Sequence, residues 1–398
     1  MSRARSERPA GAARKVLVTD VEERSSLAAC RGLAWAGYEV TGVAGMTPAA
    51  GHWSRSCHHK VTLPDPRDRP EAFIDGLVGV LTRDRHTLLM PGTDLTLWLI
   101  SEARERFEGL VGLPLPDRAA VAASLDKRLL MTEASRLAGL DAPASIVCTD
   151  GGEALDAATE LGFPVVVKPA FSFSQVDGRY HQTRVAVARD ASALAAVVPR
   201  YGSSFVVQRY VQQSSVISSS GVMAGDGLLG FATVRWERRW PVASGAASFC
   251  RTVAPPAGLA GQVEQLLRHL RFEGIFELEL LELADGTLAA IDLNPRPFGW
   301  MSLPIAAGAN LPALLCDHVL GDNPAPAVAR ADVPYRWEDG DALHFAAQLR
   351  RGRLGAAAAV LRPHRHVVHA HFRVDDPWPL AARVGILLRM WARGRRGI

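Results

Sequence analysis

Cysteine is scarce in this chain of 398 residues, and its spacing does not suggest a disulfide framework. The cysteines are odd in number, far apart and without CxxC spacing, which is typical of free, buried thiols. We therefore expect a protein of a reducing compartment, the cytoplasm. The five are Cys30, Cys57, Cys148, Cys250 and Cys316.

Long apolar runs are also missing. No stretch approaches the roughly 18 apolar residues that cross a bilayer, so we expect no transmembrane helix. The first 15 residues are charged and lack an apolar segment, which argues against a signal peptide. Residues 1–13 have the composition of a disordered tail.

The dinucleotide fingerprint GxGxxG is absent from the first predicted βαβ unit. Residues 15–20 and 38–45 are predicted strands, and residues 25–36 have helical spacing, so the chain opens as a Rossmann-like layer. The loop after the first strand is Asp20-Val21-Glu22-Glu23, which does not indicate a dinucleotide. At the end of a later strand, Thr93-Asp94 is either a helix N-cap or a substrate contact.

A strong charge of one sign is missing overall. The net charge of +4 is too small to indicate nucleic-acid binding. From residue 331 onward, however, there are 12 Arg and no Lys against six acidic residues, which gives +6 and leaves −2 for the rest. The basic character therefore belongs to the C-terminal segment.

The most informative pattern is a predicted hairpin at residues 274–299. Two apolar runs flank Asp285-Gly286, which favours a two-residue turn. That turn places Glu279 opposite Asp292, and Glu277 opposite Asn294, on one face. The other face is predicted to be core and holds Leu278, Leu280, Ile291 and Leu293.

The acidic face of this hairpin predicts a bound cation. Opposed side chains lie about 5 Å apart, and like charges there are destabilising without a counter-ion. Mg²⁺ prefers carboxylate and carbonyl oxygens, and Asn294 offers a third oxygen beside Glu279 and Asp292. Arg296 follows on the same side. A solvated edge hairpin with scattered acids is the alternative.

Basic residues elsewhere suggest what shares that cation. Lys168 lies inside an apolar predicted strand, residues 162–170, and a buried lysine needs an anionic partner. In the run at 235–240, arginines are interleaved with tryptophans, so Arg238 or Arg239 belongs to a small-molecule site, to a solvated strand or to a surface that stacks on nucleic-acid bases. A loop of small residues leads to Arg251, which is either a carboxylate-binding residue or a surface ion pair.

The hairpin end Asp292-Leu-Asn-Pro-Arg296 and the lysine strand together resemble ATP-grasp enzymes. In that family an acidic strand residue is followed by an (E/D)-x-N-x-R strand end. The string Asp126-Lys127, followed by a helix and AGL-x-A-P, resembles the entry to the family's ATP-binding domain. The resemblance covers roughly residues 15–325.

The resemblance implies roles around the triphosphate. Glu279, Asp292 and Asn294 would hold Mg²⁺, with Mn²⁺ as an alternative, and Arg296 would contact phosphate or an acyl phosphate. Lys127 and Lys168 would reach the ATP phosphates. Arg239, or otherwise its neighbour Arg238, would approach the γ-phosphate, and Arg251 would bind the substrate carboxylate.

The resemblance also implies a nucleotide-binding strand at residues 204–213, for which an ordinary core strand is the alternative. The backbone of Arg209 and Val211 would pair with adenine beside Tyr210, and Gln208 replaces the usual Glu. Gln213 or Ser214 would contact ribose. The lid loop, residues 171–184, has one glycine, so His181 and Arg184 would supply donors there. Asp292 replaces the commoner Glu, which changes the metal spacing.

The expected architecture is α/β, with α+β character in the ATP-binding part: an ATP-grasp fold behind a Rossmann-like pre-ATP-grasp domain, with a small C-terminal appendage. The expected boundaries are 14–118, 119–325 and 326–398. The expected function is an ATP-dependent ligase that activates a carboxylate as an acyl phosphate for an amine. The alternatives are a biotin-carboxylase-like enzyme and a non-catalytic ATP-binding protein.

The expected partners are a small carboxylate and an amine, without nucleic acid. The last predicted helix, residues 380–393, places Leu380, Val384, Leu387, Leu388 and Trp391 on one face. It either packs on the protein body or contacts a membrane surface or a partner.

Overall fold

The computed structural model describes residues 14–211, 215–225, 227–242 and 245–392. The tail predicted at residues 1–13 lies outside these ranges, as do Gln213 and Ser214. The described chain forms a mixed α/β structure with three main sheets and a separate two-stranded hairpin. The predicted fold class is confirmed.

The first sheet is parallel, with strand order β3-β2-β1-β4. Its strands β1, β2 and β4 are mostly buried, as the inner strands of parallel sheets are, whereas the edge strand β3 is largely exposed. The strand–helix–strand order predicted for residues 15–45 is confirmed. The strands are β1 Lys15–Val18, β2 Glu39–Ala44, β3 His59–Thr62 and β4 Leu88–Met90. The associated helices are α1 Arg24–Trp35, α2 Pro70–Arg83, α3 Asp94–Glu102 and α4 Arg118–Leu125, with 3₁₀ turns at Ala50–Trp53 and Arg104–Phe107.

The second sheet is antiparallel, with order β5-β10-β6-β9. Residues 171–184, expected as a lid loop, form a hairpin that turns at Asp177-Gly178, where both residues have positive φ. The strands are β5 Ser145–Cys148, β6 Val165–Pro169, β7 Phe173–Val176, β8 Arg179–Gln182, β9 Ala186–Ala188 and β10 Phe205–Arg209. The helices are α5 Lys127–Leu129, a π-helical segment Leu130–Ala134, α6 Ser135–Leu137, α7 Gly151–Leu161, α8 Ala191–Val197 and a 3₁₀ turn Val198–Arg200.

The third sheet has the order β15-β14-β11-β12-β13-β17-β18, with β16 beside β12. The loop predicted at 244–253 is wrong for most of its length, because Ala246–Val253 forms β13 in the middle of this sheet. The strands are β11 Ser215–Ala224, β12 Gly227–Trp240, β13 Ala246–Val253, β14 Gly274–Glu282, β15 Leu288–Asn294, β16 Ala327–Val328, β17 Pro334–Arg336 and β18 Val368–His369.

Helices cover the third sheet, and three further helices belong to the C-terminal segment. The apolar sequence of residues 302–324 predicts one covering helix, but the structure has two helices there, separated where Gly308 has a φ of +107°. The segment predicted as an appendage adds β16, β17 and β18 to the third sheet. The helices are α9 Leu259–His269, α10 Ser302–Ala307, α11 Leu311–Val319, α12 Glu338–Arg350, α13 Leu354–Val360 and α14 Trp378–Ala392.

The predicted hairpin register is confirmed at its acidic end and wrong at its turn. Glu279 pairs with Asp292 and Glu277 with Asn294, as expected. Gly286 instead closes a four-residue turn back to the carbonyl of Leu283, and a β-bulge between Glu279 and Leu280 restores the register. The bulge leaves Ile291 lining a cavity, where core was expected.

The C-terminal segment is tied to the first sheet. Arg31 of α1 and Asp376 form a buried ion pair, and Asp376 also accepts from Ser54 Oγ at 2.6 Å. All five cysteines are buried and free, as expected. Over the residues with described positions, no helix is long and apolar enough to cross a membrane.

Candidate active site

A cavity of about 230 Å³ is lined by the second and third sheets. Lys127 of α5 and Lys168 of the second sheet are among its basic residues, and the third sheet contributes Glu279, Asp292 and Arg239. Apolar side chains form much of the remaining wall, as in small-molecule sites generally. Its lining includes Lys127, Val166, Lys168, Val187, Gln208, Arg209, Tyr210, Val211, Trp236, Arg239, Glu279, Leu281, Ile291 and Asp292.

The acidic wall is the hairpin pair Glu279 and Asp292. Burial raises the pKa of Glu279 well above its ordinary value, and the neighbouring carboxylates of Glu277 and Asp292 raise it further. Asp292 forms an ion pair with Lys127. The like-charge repulsion predicted from the register is therefore present, and a lysine relieves part of it.

The basic wall is formed by Lys127 and Lys168, which are both buried. Lys127 is held at the start of α5, where its backbone N–H donates to the carbonyl of Ala170 at 2.9 Å. Burial lowers the pKa of Lys127, but the Asp292 carboxylate outweighs this and raises it. Burial lowers the pKa of Lys168 to about 8, with Lys127 adding to the decrease.

The β-bulge gives Lys168 its hydrogen-bond partner. Lys168 Nζ donates to the carbonyl oxygen of Ile291 at 2.7 Å. That carbonyl belongs to the extra residue that the bulge inserts beside Asp292. The Lys168 ammonium of the second sheet is thereby held beside Glu279 and Asp292 of the third sheet. The sequence carried no signal for this contact, because bulges have no fixed sequence pattern.

Strand β10 and the two residues that follow it contribute Gln208, Arg209, Tyr210 and Val211 to the cavity wall. The amide of Gln208 donates to Ser145 Oγ at 2.9 Å, so it is anchored to β5. The backbone N–H of Arg209 donates to the carbonyl of Ala144, which removes that N–H as a partner for adenine. The predicted ribose contacts, Gln213 and Ser214, lie outside the described residues.

The structure separates Arg239 from Arg238. Arg239 lines the cavity, and burial lowers its pKa. Arg238 pairs with Asp341 at 2.7 Å, and its guanidinium lies 4.1 Å from the ring centre of Phe249. Register shifts in β12 beside Arg238 produce this division. Arg239 is the one in position to meet a ligand.

Arg296 and Asn294 form a network next to the acid pair. Arg296 donates to Asp94 at 2.8 Å and to Asn294 Oδ1 at 2.9 Å. Thr93 is the N-cap of α3, so the N-cap interpretation is confirmed for Thr93. Asp94 follows it and holds Arg296, with a further hydrogen bond from Ser172.

Arg251 does not join this group, contrary to expectation. It pairs with Asp332 at 2.9 Å and with Glu237 at 3.4 Å. It lines a second cavity with His364, away from the acid pair. The segment predicted as a loop is a strand, in which Arg251 pairs with Arg235. Successive side chains of a strand point to opposite faces. The neighbouring residue pair includes Trp236, which faces the first cavity, so Arg251 faces away from it.

Glu277 and Trp300 are site residues that were not among the predicted ligands. Glu277 is buried, accepts a hydrogen bond from Trp300 Nε1 and accepts from Asn294 Nδ2 at 3.3 Å. Burial raises the pKa of Glu277 to about 7. The register already placed Glu277 opposite Asn294, so this orienting contact had a signal in the sequence. Trp300 had none.

The donor set fits a hard cation only with help from a ligand. Among the residues that the structure describes, no group of three or more His, Cys, Asp or Glu side chains is arranged to hold a metal. Glu279 and Asp292 provide two carboxylates on one wall, and Asn294 is oriented by Glu277. Phosphate oxygens of a nucleotide would complete the oxygen ligands that Mg²⁺ requires.

Comparison with solved structures identifies the fold. N5-carboxyaminoimidazole synthetase from Staphylococcus aureus superimposes with a TM-score of 0.62 at 14% identity, over 81% of this chain and 80% of that one. The biotin carboxylase domain of Hydrogenobacter thermophilus 2-oxoglutarate carboxylase also gives 0.62 at 14% identity, over 81% and 73%. The chain has the ATP-grasp fold.

Other comparisons agree with the ATP-grasp fold. An L-amino acid ligase from Bacillus licheniformis gives a TM-score of 0.60 at 16% identity, over 77% of this chain and 74% of that one. In sequence, the carbamoyl phosphate synthase large chain of Archaeoglobus fulgidus is 27% identical over 196 residues. That match spans 43% of this chain and 16% of the relative, so the chain corresponds to a small part of it. No protein-family model matches.

Proposed function

We propose that this protein is an ADP-forming ligase that activates a carboxylate with ATP and joins it to an amine through a C–N bond. One observation carries the proposal: two buried lysines and two opposed carboxylates converge on one cavity of an ATP-grasp fold. This arrangement suits a triphosphate shared between protein cations and a metal. Solved neighbours include a synthetase bound to ADP and a carboxylase domain bound to MgADP and bicarbonate.

In the proposed reaction, an oxygen of the substrate carboxylate attacks the γ-phosphorus of ATP. The bond from that phosphorus to the β–γ bridging oxygen breaks, which yields ADP and an acyl phosphate. The amine then attacks the acyl carbon, and phosphate leaves with the electron pair of the C–O bond. The amine loses a proton, and an amide remains.

The chain's own residues would act mainly by electrostatics. Lys127 and Lys168 would bind phosphate oxygens, and Arg239 would stabilise charge near the γ-phosphate. Glu279 and Asp292 would hold Mg²⁺, with Asn294 beside them. The metal, when bound, neutralises charge on the phosphates. Arg296, fixed by Asp94, would contact phosphate or the acyl phosphate.

We assign no residue to the binding of the carboxylate or the amine. Arg251 is not proposed as the carboxylate-binding residue, because it lies at the other cavity. We place the reaction in the cytoplasm and the domain boundaries near residues 118 and 325. Mn²⁺ is proposed as a substitute for Mg²⁺ because it accepts the same oxygen ligands.

The test is the release of ADP and phosphate with a panel of carboxylates, amines and bicarbonate. The proposal predicts that ADP forms only when a particular acid is present, and that an amide forms when its amine is added. ADP release that requires bicarbonate would instead favour a carboxylating enzyme. ATP binding without ADP release from any combination would contradict the ligase and leave an ATP-binding protein.

A further inference from the structure

The C-terminal segment contains a long stretch without any acidic residue. Residues 342–374 hold six arginines and five histidines but no Asp, Glu or Lys. Of the acids near this stretch, Asp341 and Asp376 are used inside the protein, and exposed Asp375 pairs with Arg373. Asp341 pairs with Arg238, and Asp376 pairs with Arg31. The surface formed by this stretch is therefore basic.

Within this stretch, α13 has no polar side chain, yet one of its faces is exposed. Ala357 and Val360 are buried against the protein. Leu354 is 68% exposed and Leu361 is 71% exposed, and Ala358 between them is also exposed. The spacing of four and then three residues places all three on one face of the helix. A helix that is apolar all round normally has a partner on each side.

Arginines stand at both ends of this face. Arg350, Arg351 and Arg353 precede it, and Arg362 and Arg365 follow it. All five are exposed. None has a carboxylate within ion-pair distance among the residues that the structure describes. We call Leu354, Ala358, Leu361 and these five arginines the α13 face.

We propose that the α13 face binds the surface of an anionic membrane. Exposed leucines enter the acyl boundary of a bilayer while neighbouring arginines remain with the lipid phosphates. The charge selects an anionic partner, because five unpaired arginines would repel a basic surface. Nucleic acid fits less well, since the α13 face presents leucines and no aromatic side chain for stacking on bases.

The membrane contact expected at the last helix, α14, is placed on α13 instead. Arg383 of α14 is bound to Asp339. The α14 helix also packs against the 3₁₀ turn Ala50–Trp53. Its exposed residues include Trp378, Val384 and Leu388, so it presents an apolar surface of its own. An experiment must therefore distinguish the two helices.

The test is sedimentation of the full chain with vesicles of phosphatidylcholine alone or of phosphatidylcholine with phosphatidylserine. The protein should pellet with the anionic vesicles only, and high salt should release it. L354E/L361E should reduce the bound fraction by about tenfold or more. The matched control L155E changes an exposed leucine of α7 and should pellet like wild type. Thermal unfolding of each variant checks the fold.

Three results would overturn the proposal. Wild type could fail to pellet with anionic vesicles, which would leave the α13 face to an acidic protein. It could pellet equally with both kinds of vesicle. Finally, V384E/L388E in α14 could release the protein while L354E/L361E did not, which would assign the membrane contact to α14.

Discussion

Among the described residues, Lys168 donates to a backbone carbonyl, whereas Lys127 forms an ion pair with a carboxylate. We therefore expect ATP binding to depend on pH through Lys168. Its pKa of about 8 in the free protein means that it loses its proton in mildly alkaline solution. A bound triphosphate favours the protonated form and raises that pKa. Binding above pH 8 therefore requires uptake of a proton, so affinity falls as pH rises.

We expect the dissociation constant of an ATP analogue to rise by up to about tenfold per pH unit above pH 8, by titration calorimetry. Lys168→Arg keeps its charge over this range and should flatten the profile. Lys168→Met should bind weakly at every pH. A profile in the wild type that is flat to pH 9.5 would show that Lys168 does not face the phosphates.

Arg238 and Arg239 are adjacent in sequence, but we expect substitution of Arg238 to lower stability and substitution of Arg239 to weaken nucleotide binding or turnover. Arg238→Ala removes one of two guanidinium partners from buried Asp341, because Arg336 remains at 3.0 Å, so it should lower the free energy of unfolding by about 1–3 kcal/mol. Arg239→Ala should change stability little and weaken nucleotide binding or turnover. Thermal unfolding and ATP-analogue titration of both variants distinguish these outcomes. Normal ATP binding and turnover in Arg239→Ala would remove it from the site.

At the residue scale, the sequence predicted the acid pair but not all of its surroundings. The alternation of side chains in a strand was enough to place Glu279 opposite Asp292. Lys168 was identifiable because a lysine inside an apolar strand needs a partner. Its actual partner, the carbonyl of Ile291, depends on a bulge. Arg251 was misplaced because its segment consists of small residues that fit a loop or a strand equally well.

At the scale of single elements, Glu338 at the start of α12 holds the chain segment that follows β18. Its carboxylate accepts hydrogen bonds from the backbone N–H groups of His371 and Phe372. Burial alone would raise the pKa of Glu338, but hydrogen bonds from His369 and His371 keep it far below its ordinary value. A depressed carboxyl pKa stabilises the folded state at neutral pH, and this stabilisation is lost as pH falls.

We therefore expect the melting temperature of the wild type to fall as pH drops below about 4.3, the ordinary value for glutamate. Glu338→Gln should be less stable than wild type at pH 7 and should lose less stability on acidification. Thermal unfolding at several pH values measures both. Parallel curves for the two proteins would show that Glu338 does not contribute to the acid sensitivity.

The elements themselves were predictable where their apolar pattern was long. Helix α2 and the first βαβ unit follow from periodicity and agree with the structure. The hairpin turn was misread because Asp-Gly also closes a longer turn when glycine adopts a positive φ, as Gly286 does. The break at Gly308 was missed because the apolar pattern continues on both sides of it.

At the scale of the whole molecule, one core joins three parts of the chain. Val18 of the first sheet, Val234 and Trp300 around the third sheet, and Ala370 of the C-terminal segment belong to a single apolar cluster. Such contacts between distant segments carry no local signal. The sequence therefore indicated separate pieces and could not show that the last piece completes the third sheet.

Asp376 is a sensitive point of this assembly. It accepts from Arg31 Nε at 3.0 Å and from the backbone N–H of Arg55 at 3.0 Å. Asp376→Ala should cost about 3–5 kcal/mol of unfolding free energy, because Arg31 would stay buried without its counter-charge. Asp375→Ala, next to it and exposed, is the matched control. Equal stability of the two variants in urea would contradict the expected role of the pair.

The central claim concerns Asp292 and the cation it would share with ATP. The decisive measurement is calorimetric titration of a non-hydrolysable ATP analogue with and without Mg²⁺. The exposed hairpin tip provides the control Asp285→Asn, which makes the same chemical change on the same element. We predict that Mg²⁺ lowers the dissociation constant of the analogue for wild type and for Asp285→Asn. Asp292→Asn should keep its fold, and the factor by which Mg²⁺ lowers its dissociation constant should be at least about tenfold smaller. An unchanged gain from Mg²⁺ in Asp292→Asn would contradict the account.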